Sequence, residues 1–159
     1  MPLKRDSCGS IESLPLKLII ISIVMVITIP VAWTGLSNYS KIQAENNMRS
    51  QVEYIATTAK QVYAGANGTS LSIKVNFEGG FFNNVEYVKI GDSLSSGKCS
   101  TIRYKISGET EKTYVIQNPN VPMTSTDGDA LQLGSGTYTL ILEHKIDDGE
   151  NYIEVRLTN

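Results

Sequence analysis

Between Leu18 and Trp33 the chain reads LIIISIVMVITIPVAW, a run without a single charge. Extended to Leu14 and Leu36, the block holds 23 residues and one charged side chain, Lys17. About 20 apolar residues in a helix cross a hydrocarbon core of about 30 Å, so this block predicts a membrane-spanning helix over 14–36. Lys17 lies near one end, where a lysine reaches the headgroups at small cost. Trp33 and Tyr39 lie near the other, where amphipathic rings favour the interface. Pro30 removes a backbone donor inside the block, which predicts a kink or local unwinding over residues 26–30. Pro15 falls at the start, where a missing N–H matters least. The run is too long for an ordinary signal-peptide core, and no A-x-A site follows it. Lys4, Arg5 and Lys17 flank the near side; Lys41 and Arg49 stand farther off on the other. That bias predicts a cytoplasmic N-terminus and an extracytoplasmic remainder.

Helical character continues past the block. Residues 40–64 contain neither Gly nor Pro, and Met48, Val52, Ile55, Ala59 and Val62 recur in steps of 4, 3, 4 and 3. Such spacing lays one apolar stripe along a helix, with Ala44 one step earlier. Gly65 and Gly68 signal the stop. A single helix of roughly 50 residues follows, about 75 Å long at 1.5 Å per residue. The stripe has two destinations: the chain's own β domain, or the same helix in neighbouring subunits.

From Ser70 the period changes to two. Leu71, Ile73, Val75 and Phe77 alternate with polar residues; further strands are expected at Val85–Ile90, Thr101–Ile106, Lys112–Ile116, Thr137–Glu143 and Tyr152–Leu157. Ile153, Val155 and Leu157 are assigned to one face of the last. Turn residues separate them, and Asp147-Asp148-Gly149 reads as a hairpin loop. Asn118–Asp129, with Pro119 and Pro122, reads as a long loop. The fold class is α+β: a long N-terminal helix, transmembrane plus stalk, followed by a small antiparallel all-β sandwich-like domain. The expected organisation is a leader over 1–13, the membrane helix over 14–36, an amphipathic extension over 37–65 and the β domain over 66–159.

Chemistry-bearing motifs are missing from the sequence. There is no G-x-S-x-G, P-loop, H-E-x-x-H or EF-hand loop. His144, the single histidine, neighbours Glu143 on a strand, so the two point to opposite faces. Asp127-Gly128-Asp129 lacks further calcium ligands and reads as a turn. Cys8 and Cys99 fall on opposite sides of the membrane block, so Cys99 is expected as an unpaired thiol. A net charge of −2 gives no basic footprint for nucleic acid. No catalytic residue, cofactor or metal is expected, and the chain reads as a non-enzyme. Two N-x-[ST] sequons occur: Asn67-Gly68-Thr69, in a Gly-containing turn, is the better glycan acceptor, and Asn38-Tyr39-Ser40 hugs the membrane.

A polar leader with Lys4 and Arg5, then Gly9-Ser10-Ile11-Glu12, an apolar segment, a continued amphipathic helix and a β head: this order resembles type IV pilins. It is most similar to archaeal pilin-like proteins with class III signal peptides, above all in GSIESLPLKLIIISI. The resemblance is detailed over the first 64 residues and extends to the β domain only in class. It implies cleavage by a prepilin-type peptidase after Gly9, leaving Ser10 as the new N-terminus. It implies a role for Glu12 in pairing with a neighbouring subunit's terminal amine, a partner that would offset the cost of a carboxylate near lipid. The pattern departs from the family in two places. Asp6-Ser7-Cys8 stands between the basic residues and Gly9, and Glu12 would be third after the cut. On this resemblance the chain is a structural subunit, major or minor, of a pilus-like or secretion-like filament. The helix would be anchor and then filament core, and Met48, Val52, Ile55, Ala59 and Val62 would be subunit contacts. The alternative is a permanently anchored surface protein whose β domain binds a partner without polymerising.

Overall fold

The computed structural model describes residues 13–80, 83–147 and 149–158. The chain divides into two compact units, Met1–Tyr39 and Ser40–Asn159. Helix α1 runs over Ser13–Tyr63. It stays α-helical through Pro30, so the local unwinding expected over 26–30 does not occur. The helix is long enough that the one donor missing at Pro30 is outweighed by the bonds on either side.

In the second unit, the end of α1 is set by its last turn. Ala64 N–H donates to Lys60 O at 3.0 Å, and Gly65 N–H to Val62 O at 3.0 Å, a tightening to three-residue spacing. A Cβ on Gly65 would lie 2.7 Å from Thr69 Oγ1, so only glycine lets the chain turn back here. Lys60, in the last turn, donates from Nζ to Gln117 O at 2.6 Å and suits the negative end of the helix dipole.

Among the described residues eight strands follow: β1 (Ser70–Asn76), β2 (Val85–Ile90), β3 (Thr101–Ile106), β4 (Lys112–Val115), β5 (Met123–Ser125), β6 (Leu131–Leu133), β7 (Thr137–Asp147) and β8 (Glu150–Leu157). They form two four-stranded sheets, β1-β7-β8-β5 and β4-β3-β2-β6. All pairings between strands are antiparallel except β5 with β8, which is parallel. The expected hairpin is present: β7 and β8 pair from Leu140↔Leu157 down to Asp147↔Glu150, and Gly149 takes a left-handed φ of 84°.

The stretch expected as one long loop over 118–129 contains β5. Met123, Thr124 and Ser125 are all buried, so no alternation marks them as a strand. Both edges of β5 are occupied. Ile153 N–H donates to Pro122 O at 2.8 Å on the β8 side. On the other side Asp92 N–H donates to Met123 O at 3.1 Å, and Met123 N–H to Cys99 O at 2.9 Å. The β2–β3 connection thus covers the edge that the short strand would otherwise expose. Gly91 makes the approach feasible: its φ is 67°, and a Cβ there would lie 2.1 Å from Met123 O.

One hydrophobic core joins the three layers. From α1 it takes Ala44, Met48, Val52, Ile55, Ala56, Ala59 and Val62; from the first sheet Ile73, Val75, Leu140, Leu142, Ile153 and Val155; from the second Val88, Ile90, Ile102, Ile106 and Leu133. Met48, Val52, Ile55, Ala59 and Val62 are each 0% exposed. Burying a side chain such as Ile55 or Val52 contributes about 1.5–3 kcal/mol. Polar bonds fix the register of the helix on the strands: Asn47 Nδ2 donates to Glu78 O at 3.0 Å, and Asn76 N–H to Gln51 Oε1 at 3.1 Å. Two expected core positions lie outside: Leu71, on edge strand β1, and Leu157, at the end of β8, are exposed.

Candidate functional site

The first feature is the apolar part of α1. Every residue from Pro15 to Leu36 is exposed within the chain, with Leu18 at 63% and Val26 at 72%. So large a continuous apolar surface is a candidate membrane span by length and composition. Its hydroxyl groups are satisfied internally. Ser22 Oγ donates to Leu18 O at 2.8 Å, Thr28 Oγ1 to Val24 O at 2.7 Å and Thr34 Oγ1 to Pro30 O at 2.8 Å. Each bond reaches back one turn, the geometry by which Ser and Thr hide a polar atom on a helix surrounded by hydrocarbon.

The expected subunit-contact stripe is corrected by the core. Met48, Val52, Ile55, Ala59 and Val62 are spent inside the second unit, so they offer no surface to a neighbour. The outward face of the same stretch is mostly polar. Its large apolar members are Ile42, 57% exposed, and Tyr54, 49% exposed. Gly9, Ser10 and Glu12, the residues implied in processing and pairing, lie outside the described residues.

At the start of this unit, an ion network links α1 to the β3–β4 hairpin. Lys41 Nζ lies 2.8 Å from Glu109 Oε1, and Lys112 Nζ lies 3.1 Å from Glu109 Oε2 and also pairs with Glu45. The hydrogen bond from Lys41, helped by Lys112, holds the Glu109 carboxyl below its ordinary pKa despite partial burial. The hydrogen bond that Lys112 donates to Glu45 raises the Lys112 pKa in turn. A cleft of about 400 Å³ opens beside this network, between Arg49 and Val52 of α1 and Tyr104, Lys112 and Tyr114. Its cations are already engaged, since Arg49 Nε also bonds Glu53 at 2.9 Å.

A second cleft, of about 340 Å³, lies on the other side of the first sheet, over β5 and β8. Thr124, Ser125, Thr126, Tyr152 and Glu154 line it, with Leu94 and Ser95 from the β2–β3 connection. Sequence reasoning missed these residues, because they come from three distant segments and carry no motif.

The remaining expected positions are placed individually. Asn67 is exposed in the turn after α1, with Gly68 at φ 85° and Gly68 N–H donating to His144 O at 2.8 Å. Asn38 lies within α1, and its sequon partner Ser40 is buried. Cys99 is half-buried, with Sγ 3.8 Å from Ser100 Oγ. His144 is buried, its Nδ1 3.0 Å from Gly65 O and its ring 5.4 Å from that of Tyr63. Among the described residues, no group of three or more His, Cys, Asp or Glu is arranged to hold a metal ion. Compared with protein-family models, curated proteins and solved structures, the chain matches none of them.

Proposed function

We propose that the chain is a membrane-anchored, non-enzymatic surface protein and serves as a structural subunit of a filament of the archaeal type IV pilus kind. The observation that carries this reading is α1. Its apolar residues 15–36 lack cover within the chain, and the same 51-residue helix supplies residues 44–62 to the core of the β domain. An anchor of this construction can hold a subunit in a bilayer and later exchange lipid for other apolar helices. The proposed topology is single-pass, with a cytoplasmic N-terminus and an extracytoplasmic β domain. The proposed partners are membrane lipid, further subunits and a prepilin-type peptidase acting between Gly9 and Ser10. Glu12 is proposed to pair with a neighbour's terminal amine, and Asn67 to be the glycan acceptor.

A specific observation favours the second reading, a permanent anchor whose domain binds a partner. The stripe that would mate with a neighbour beyond the membrane is consumed by the domain itself. Mass spectrometry of the mature N-terminus, from cells that naturally make the protein, separates the two. A Ser10 terminus, with filaments lost on Gly9→Val, supports the filament subunit. A terminus at Met1 or Pro2 overturns it and leaves the permanent anchor. The same spectra test Asn67, since a glycan would add mass that Asn67→Gln removes.

A further inference from the structure

The face of the first sheet turned away from the core carries a group of charges that anchoring does not use. Strand alternation and register put Glu143, Lys145, Tyr152, Glu154 and Arg156 together there, with Glu143 opposite Glu154 and Lys145 opposite Tyr152. Two carboxylates directly opposite one another repel. The two cations offset them: Lys145 Nζ lies 2.7 Å from Glu154 Oε2, and Arg156 Nη2 lies 3.0 Å from Glu143 Oε2. The four charges therefore cancel.

The parallel pairing of β5 adds Thr124 opposite Glu154, and Thr126 follows two residues on. With the wall at Ser95 they enclose the 340 Å³ cleft, a volume within the range of small-molecule sites, about 300–1,000 Å³. Glu154 is only 8% exposed. A carboxylate accepts about four hydrogen bonds. Among the described residues Glu154 has one close donor, Lys145, and Arg156 Nη1 stands 4.0 Å from Oε1. Glu154 lines an open cleft, so the acceptor positions that Lys145 does not use can be reached by the O–H donors of a ligand. Because Lys145 and Arg156 already offset the two carboxylates of this face, a cation would compete with Lys145 for Glu154, and an anion would meet Glu154 itself. A neutral polyol meets neither cost. The Thr and Ser hydroxyls can give or accept further bonds, and the Tyr152 ring offers an apolar surface to ring C–H groups.

We propose that this cleft binds a neutral sugar residue of an exposed glycan. The proposal holds whether or not the chain polymerises.

The test uses the full chain in lipid nanodiscs prepared without sugar-based detergents. It is applied to an array of neutral hexose and N-acetylhexosamine oligosaccharides, with sialylated glycans and an aliphatic amine as charged probes. Retention of a neutral glycan class, competed by its free monosaccharide, is expected. Glu154→Gln should weaken it roughly tenfold, as expected for a lost bond to a charged acceptor. That variant also loosens Lys145, so Thr126→Val and Tyr152→Ala, checked for an unchanged circular dichroism spectrum, provide independent arms. Each should weaken binding several-fold. No neutral glycan held above the sialylated probes, capture of the amine instead, or binding undiminished in all three variants would overturn the proposal.

Discussion

His144 Nδ1 lies 3.0 Å from the carbonyl oxygen of Gly65, joining β7 to the turn in which α1 ends. A carbonyl can only accept, so Nδ1 carries the proton in this bond. Among the described residues, nothing reaches the buried Nε2. His144→Ala removes the bond and the ring packed near Tyr63, and should destabilise the domain by about 3 kcal/mol. His144→Asn can return a donor near the Nδ1 position and should recover about 1 kcal/mol of that loss. Thermal unfolding of the nanodisc-embedded protein, followed by circular dichroism, measures both. Equal losses in the two variants would show that packing alone matters.

The stripe makes a sharper prediction. Ile55→Ala should cost about 2–5 kcal/mol, because a fully buried side chain leaves a cavity. Ile42→Ala, at a mostly exposed position, should stay within about 0.5 kcal/mol. Denaturant titration checks the contrast. Cysteines at the same two sites check the surface: Ile42→Cys should react with a membrane-impermeant maleimide, and Ile55→Cys, at a fully buried position, should be protected.

The Glu109 network predicts a dependence on acid. Its carboxyl is held below its ordinary pKa, chiefly by the bond from Lys41. The folded state therefore binds this proton less readily than the unfolded state. The resulting stability is complete above the ordinary glutamate range and is lost as the pH falls through the lower folded pKa. Glu109→Gln should flatten that part of the stability–pH curve and leave the neutral-pH slope unchanged. Unfolding midpoints across acid pH measure it; a parallel curve for the variant would assign the acid response to other carboxylates.

For the membrane segment, Ile23→Asp should oppose insertion by about 2.5–3.5 kcal/mol, the translocon cost of a charge at mid-helix. Carbonate extraction of membranes reads the outcome as a shift of protein from pellet to supernatant. A polar substitution at exposed Gln61, near the end of α1, should not move it.

The sequence revealed most about α1 and least about what covers it. An uncharged run and a stripe in steps of 4 and 3 specify a long helix, because only a 3.6-residue period gathers Met48, Val52, Ile55, Ala59 and Val62 on one side. The stripe says that something must cover it, but not whether that cover is intramolecular. The long strands were legible for the same reason. β5 and β6, three residues each, were too short to show a period, and Pro122 just before β5 suggested loop. The cleft over β8 was hidden more deeply: Thr124 meets Glu154 only through the parallel pairing, which local pattern does not encode.

The position of β8 has a consequence for how the protein is made. This strand, last in the order of elements, is central in its sheet, between β7 and β5. Ribosomes deliver α1 well before β8. The sheet cannot close until nearly all of the second unit has emerged, and until then the apolar side of residues 44–62 lacks part of its cover. Nascent chains must therefore pass through a period of vulnerability to aggregation or proteolysis. Truncation before β8 would prolong that period indefinitely, making quality control of this protein a test of whether this central strand has arrived.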